Sequence, residues 1–111
     1  MNEVSYEDFK EINIRVGKIL DAKILENGKY STHKLKIDFG SELGLKKSCA
    51  RLVNYEIDDL IGRFIVAVVN FPPKQIGTNI SEVLVLGVPD LRGECSLLKP
   101  DAKVPLGGKM Y

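Results

Sequence analysis

The 111-residue sequence has no tryptophan, a single histidine, His33, and two cysteines, Cys49 and Cys95. A structural zinc site needs about four ligands at short spacings, and these three residues are too few and too far apart. The same shortage of histidine and cysteine leaves few groups for nucleophilic or acid/base catalysis. The composition excludes most catalytic arrangements but not a pair of carboxylates. We expect a non-catalytic protein without a metal or other cofactor.

Long apolar runs are also absent. The longest, residues 64–69, is far shorter than the roughly 20 residues that a membrane-spanning helix needs. The N-terminal residues carry charges every few positions and lack the apolar segment of a secretory signal. These absences predict a cytoplasmic protein that does not insert into membranes and whose two cysteines stay free thiols.

The net charge is only +1, but the charges are unevenly distributed along the chain. Residues 29–53 hold six basic and two acidic side chains, which gives this segment a net charge of +4. The flanking segments are balanced or acidic. A positively charged surface is therefore expected from the middle of the chain.

The first half of the chain predicts one short helix followed by strands. Ser5, with two acidic residues in the next turn, is typical of a helix start. Residues 14–20 predict a strand with a β-bulge at Gly17, because the apolar alternation breaks there. Asn27-Gly28 is a turn signal, and the strand after it directs Lys34 and Lys36 outward. Residues 46–53 predict a third strand.

The second half predicts one helical turn at residues 56–60, a buried strand at 63–69, a loop at 70–77, and strands at 82–88 and 95–98. This pattern predicts an all-β fold in one domain, residues 1–111: a five-stranded OB-fold Greek-key barrel with a short N-terminal helix and one short inter-strand helix. Residues 83–86 are apolar on both faces of their strand. We expect the second face to contact a partner chain, with the N-terminal helix or C-terminal tail as the alternative cover.

An outward basic face is the main candidate for a binding surface. Lys34, Lys36, Lys47 and Arg51 would suit phosphate contacts, although lysines are more often simply solvated. Base stacking on this face is poorly supported because few aromatic residues lie near it, whereas a folded RNA read by its shape and backbone stays open. His33, beside the turn, is expected to be exposed. Ser81-Glu82 is either turn chemistry or a ligand-facing polar pair.

Four segments resemble the tRNA-binding domain that occurs alone and at the C-terminus of methionyl-tRNA synthetases. They are SYEDF at residues 5–9, IRVGKI at 14–19, NFPPKQIG at 70–77 and SEVLVLG at 81–87. The last two segments resemble the CsaA branch, described as export-related chaperones. The resemblance implies an OB barrel whose terminal extensions form a homodimer, without enzyme activity. It also implies an RNA surface made by Lys34, Lys36, Asn70, Lys74 and Ser81.

One departure from the family pattern concerns the start of the strand after residue 80. Members best known for tRNA binding resemble Ser-x-Gly-Met, whereas this chain has Ser81, Glu82, Val83 and Leu84. We expect Val83 to fill a space through which a ligand could approach the backbone. We expect the charge of Glu82 to oppose phosphate.

Two hypotheses of function follow. In the first, the protein binds tRNA through the basic face, with Lys34, Lys36, Lys47, Arg51, Asn70, Lys74, Ser81 and Glu82 as candidate residues. In the second, it is a chaperone that binds unfolded preproteins or peptides in an apolar groove bordered by Phe71, Pro72 and Ile76. Whether an export motor is a partner is left open by the sequence.

Overall fold

The computed structural model describes residues 1–26 and 29–111, so the predicted Asn27-Gly28 turn lies outside the described residues. The elements are α1 (Tyr6–Glu11), β1 (Ile14–Ile24), β2 (His33–Asp38), β3 (Leu45–Ala50), α2 (Ile57–Leu60), β4 (Phe64–Val68), β5 (Lys74–Ile76), β6 (Asn79–Ser81), β7 (Leu84–Val85), β8 (Gly87–Pro89) and β9 (Cys95–Leu97). Within the described ranges, no helix is long and apolar enough to cross a membrane.

The predicted N-terminal helix is confirmed, and its start has the expected cap. The Ser5 side-chain oxygen accepts a hydrogen bond from the Asp8 N–H at 3.0 Å. Glu7 and Asp8 place negative charge near the positive end of the helix dipole. No residue of α1 is buried, so the helix lies on the outside of the barrel.

Five antiparallel strands form one sheet in the order β3-β2-β1-β4-β7. The first half of β1 pairs with β4 and the second half with β2. Because β3 also contacts β7, the sheet curls into a nearly closed barrel. The predicted OB-type barrel is confirmed.

The core fills the inside of this barrel. In β2 the buried side chains alternate with outward polar residues, as the sequence pattern predicted. The fully buried strand residues include Ile19, Leu35, Ile37 and Ile65, and Phe39, Leu52 and Leu60 reach the same core from outside the strands. Each such side chain contributes about 1.5–3 kcal/mol relative to exposure in water.

The predicted bulge position in β1 was wrong. The register shifts between Ile19 and Asp21, so Leu20 is the extra residue. Gly17 pairs in regular register with β4, and a Cβ atom there would lie 2.7 Å from the Phe39 ring. The glycine is therefore required by close packing against Phe39, and the bulge three residues later returns Ala22 to the core.

The C-terminal tail completes the sheet beside the first half of β1. The Val16 N–H donates to the Gly108 carbonyl at 3.0 Å, and the Met110 N–H donates to the Ile14 carbonyl at 2.8 Å. Arg15 adds a side-chain bond to the Gly107 carbonyl at 2.9 Å. Ile14 and Val16 are buried although they lie outside the main core.

Three further predicted elements need correction. The segment at 70–77 is not a loop throughout, because β5 and β6 pair as a hairpin that turns at Gly77, whose φ is 60°. The strand at 82–88 is split into β7, paired with β4, and β8, paired with β9. The third strand ends at Ala50 rather than residue 53, which leaves Arg51 beyond its end.

Candidate nucleic-acid interface

The outer face of β1, β2 and β3 carries two rows of aligned side chains. The rows are Lys23, Lys34 and Cys49, and next to them Asp21, Lys36 and Lys47. Aligned residues on antiparallel strands have Cβ atoms about 5 Å apart. Lys34 and Lys36 point outward as predicted, because the residues that alternate with them along β2, Leu35 and Ile37, are fully buried.

These rows form the floor of an open groove of about 610 Å³. The β5–β6 hairpin provides the opposite wall through Thr78, Asn79 and Ile80. Five lysines line it against two carboxylates: Lys23, Lys34, Lys36, Lys46 and Lys47 against Asp21 and Glu82. We refer to this groove as the basic groove.

The lysines of the basic groove form no ion pair. Among the described residues, the three ion pairs involve other side chains, so none of the five lysines has a carboxylate within 4.0 Å. Lys23 lies opposite Lys34, and Lys36 lies opposite Lys47 on one side and Asp21 on the other. Like charges in such positions repel each other, Asp21 offsets part of that repulsion, and a bound polyanion would relieve the rest.

The junction between β3 and residues 81–83, which we term the seam, is closed largely by side chains. The Cys49 N–H donates to the Ser81 side-chain oxygen at 3.0 Å, and the Lys47 N–H donates to a Glu82 carboxylate oxygen at 3.0 Å. The Ser81 and Ser48 hydroxyls both donate to the Val83 carbonyl, at 3.2 and 3.0 Å. Ser81 and Glu82 therefore hold the barrel closed.

Asn70 also has a structural partner for each end of its amide. Its side-chain oxygen accepts from the Asn13 N–H at 2.9 Å, and its side-chain nitrogen donates to the Glu11 carbonyl at 2.8 Å. These bonds attach the end of α1 to the end of β4. Both ends of the Asn70 side-chain amide are thus hydrogen-bonded to the backbone of the protein.

A second depression, of about 390 Å³, lies on the other side of Glu82. Its lining includes Phe71, Pro72 and Ile76, the three residues predicted for peptide binding, together with Leu84. Three residues predicted for RNA binding, Arg51, Lys74 and Ser81, lie here as well. We refer to this depression as the apolar cavity.

The predicted RNA residues are therefore divided between several places. Lys34, Lys36 and Lys47 come together in the basic groove, and Glu82 lines both depressions. Arg51 forms a 3.6 Å ion pair with Glu94 at the apolar cavity. Asn70 lies apart, at the end of α1.

Both cysteines line the apolar cavity as free thiols. Burial raises the pKa of the Cys49 thiol, and Lys34 opposes that shift. Burial also raises the pKa of Cys95, in the same direction as the charge of Asp90. Thiols with raised pKa values are poor nucleophiles at neutral pH, so these residues act as small apolar lining.

The expectation that His33 is exposed was wrong. His33 is buried at 4% exposure, with its Nδ1 2.7 Å from the Thr32 hydroxyl, and burial lowers the pKa of its imidazole. Val83 is buried in the core and also lines the apolar cavity, so its expected effect on the approach of a ligand stays a prediction. The exposed apolar residue of this segment is Leu84.

Sequence reasoning missed several members of the basic groove, among them Lys23, Lys46 and Asn79. The signal for Lys23 was present, since Ala22 and Lys23 continue an in-and-out alternation once the bulge is placed at Leu20. Asn79 had no local signal. Its place depends on the β5–β6 hairpin folding back beside β3.

Comparisons with known proteins identify the family and support the fold. A family model described as "Putative tRNA binding domain" matches residues 14–109. Methionine–tRNA ligase of Thermococcus onnurineus is 35% identical over 113 residues, which is 96% of this chain but only 14% of the ligase. The CsaA chaperone protein of Picrophilus torridus superimposes with a TM-score of 0.92 at 47% identity, covering 98% of this chain and 100% of that one. Chaperone CsaA of Bacillus anthracis gives 0.90 at 43%, covering 99% and 100%.

Proposed function

The chain belongs to the tRNA-binding-domain family and is of the CsaA type, and from this premise we propose that it binds tRNA in the basic groove. The observation that carries the proposal is the set of five lysines in one groove, none of which forms an ion pair in the part of the chain that the structure describes. Such lysines neutralise phosphates and release the counterions condensed on RNA, which makes binding favourable and salt-dependent. We propose that this single domain acts by binding alone, in the cytoplasm.

We further propose that the protein works as a homodimer. Between α1 and the C-terminal tail lies a depression of about 320 Å³, lined by Tyr6, Phe9, Ile12, Met110 and Tyr111 among others. Tyr6 is 66% exposed, and Tyr111 at the end of the tail is fully exposed. A second copy covering these apolar surfaces would remove them from water. Sedimentation of the protein and of an Ile12→Asp variant tests this, since only the parent should sediment as a dimer.

The direct test of RNA binding is a titration with folded tRNA at about 50 mM and about 200 mM salt. If about six phosphates are contacted, affinity should fall roughly 10³-fold between the two conditions. The double variant Lys34→Glu with Lys36→Glu should bind at least about tenfold more weakly and show a salt slope reduced by about two.

The matched control is Lys99→Glu with Lys103→Glu. These exposed lysines line a different depression, with Asp59 and Ile61, and the control changes the net charge by the same amount. It should bind tRNA nearly as the parent does. Equal losses in the two double variants would mean that net charge alone, and not the basic groove, attracts the RNA.

A second candidate function is the binding of unfolded polypeptide. It is supported by the apolar cavity, whose lining includes Phe71, Pro72 and Ile76. The two solved CsaA structures are described as chaperones. Capture of an unfolded preprotein that is insensitive to salt, and lost with Phe71→Ala, would support this function. An export motor becomes a candidate partner only if that capture is observed.

A further inference from the structure

The basic groove and the apolar cavity are adjacent, since Glu82 lines both. We propose that the apolar cavity takes one unpaired nucleobase of the RNA whose phosphates lie in the basic groove. This inference rests on the proposed RNA binding and deepens it. It makes the preferred ligand an RNA with an unstacked base beside a phosphate backbone, such as a loop, rather than a blunt duplex.

The lining of the apolar cavity suits a flat aromatic ligand. Phe71 is 46% exposed and Leu84 is 49% exposed, so the Phe71 ring and the Leu84 methyl groups are accessible. Pro72 and Ile76 complete the apolar surface. Stacking of a base on an exposed aromatic side chain is a common way in which proteins hold single-stranded RNA, and it tolerates any base.

Cationic side chains border the same cavity. Arg51 and Lys74 both line it, and both are exposed. The ion pair between Arg51 and Glu94 leaves the Arg51 side chain 54% exposed, and exposed pairs contribute little, so the guanidinium can turn to a phosphate. The cavity therefore has an apolar interior and two cationic groups at its border, beside the carboxylates of Glu82 and Glu94, and these cations could contact the phosphates that flank a base.

An extended polypeptide is less well matched to this place. Such segments usually gain affinity by pairing with an exposed strand edge. At the seam, the N–H groups of Lys47 and Cys49 already bond to Glu82 and Ser81, and the Lys47 carbonyl accepts from the Glu82 N–H at 2.8 Å. A peptide could therefore bind only by inserting side chains into the cavity, without pairing to a strand edge. A nucleobase does not need a strand edge.

The absence of tryptophan allows a direct measurement. Phe71→Trp would introduce the only indole of the chain, and Leu91→Trp in the turn between β8 and β9 is the matched control, since Leu91 is fully exposed and lines neither the basic groove nor the apolar cavity. An RNA hairpin with an unpaired loop should quench and shift the fluorescence of Phe71→Trp at saturation. The same hairpin should leave Leu91→Trp unchanged, and a blunt duplex of equal length should change neither.

Affinity gives the second readout. Phe71→Ala should weaken binding of the looped hairpin about tenfold, which is the scale of one lost stacking contact. Binding of the blunt duplex should stay within about twofold, and the salt slope should not change because no phosphate contact is lost. Circular dichroism and the unfolding midpoint confirm that this exposed position has not affected folding.

Two results would overturn the inference. One is a looped hairpin that binds Phe71→Ala as tightly as the parent while Phe71→Trp shows no quenching. The other is a Phe71→Ala variant that loses capture of unfolded polypeptide but not of RNA, which would give the cavity to the polypeptide. If the parent binds neither RNA, the proposed function itself has failed.

Discussion

In the basic groove, five lysines have no carboxylate partner among the described residues, whereas at the adjacent seam Ser81 and Glu82 each form two hydrogen bonds. The two regions are next to each other and both are polar. The groove side chains nevertheless have charges free to bind a ligand, whereas the seam side chains already bond to the protein. Substitution in the groove should change binding with little effect on stability, and substitution at the seam should do the reverse.

The largest effect on stability is expected at Ser81. Ser81→Ala leaves the Cys49 N–H without its acceptor in a partly buried place, which should lower the free energy of unfolding by about 1–2 kcal/mol. Urea denaturation measures this, with Ser41→Ala at an exposed turn position as control. Affinity for tRNA should stay within about twofold. A large loss of affinity in a fully folded Ser81→Ala would erase the distinction between seam and groove.

Asn70 should behave like the seam. Asn70→Ala removes the bond to Glu11 at the end of α1 and the bond to Asn13 just after it, and a loss of about 1 kcal/mol is expected, concentrated at the helix. Hydrogen exchange should become faster in α1 but not in β2. Asn70→Asp keeps the acceptor for the Asn13 N–H but places a carboxylate oxygen against the Glu11 carbonyl, so its loss of stability should be at least as large as that of Asn70→Ala. Unchanged exchange in α1 would show that the helix is held by other contacts.

Glu82 belongs to both regions, so its two functions can be separated. Glu82→Gln keeps an acceptor for the Lys47 N–H and removes one negative charge from the basic groove. Affinity for tRNA should rise about two- to fivefold at low salt, with little change in stability. Glu82→Ala should lose stability as well. If Glu82→Gln weakens RNA binding, the carboxylate contacts the ligand instead of opposing it.

The smallest effect is expected from His33. Burial lowers the pKa of its imidazole in the folded state, so the unfolded chain binds the proton more readily. Stability is therefore complete above the unfolded pKa of about 6.5 and falls as the pH drops below it. Urea midpoints at pH 7.5 and 5.5 measure the loss. His33→Phe should flatten this dependence, and an unchanged slope would assign it to carboxylates.

Much of the fold follows from local patterns in the sequence. The cap at Ser5 and the alternation of Leu35, Lys36 and Ile37 depend only on neighbours within a few residues, because helix and strand periodicities are local. The same alternation correctly directed Lys34 and Lys36 outward. The motifs at residues 70–77 and 81–87 were sufficient for the family. These properties the sequence determined by itself.

Only the tertiary structure decided how the remaining polar residues are used. Asn70 bonds to Asn13 across 57 positions, Glu82 to Lys47 across 35 and Ser81 to Cys49 across 32. The bulge at Leu20 and the burial of His33 likewise depend on strands that are distant in sequence. A serine, an amide or a carboxylate has the same local pattern whether it bonds to a ligand or to another strand. Whether such a residue bonds to a ligand or to another strand depends on whether it lies where the strands meet to close the barrel.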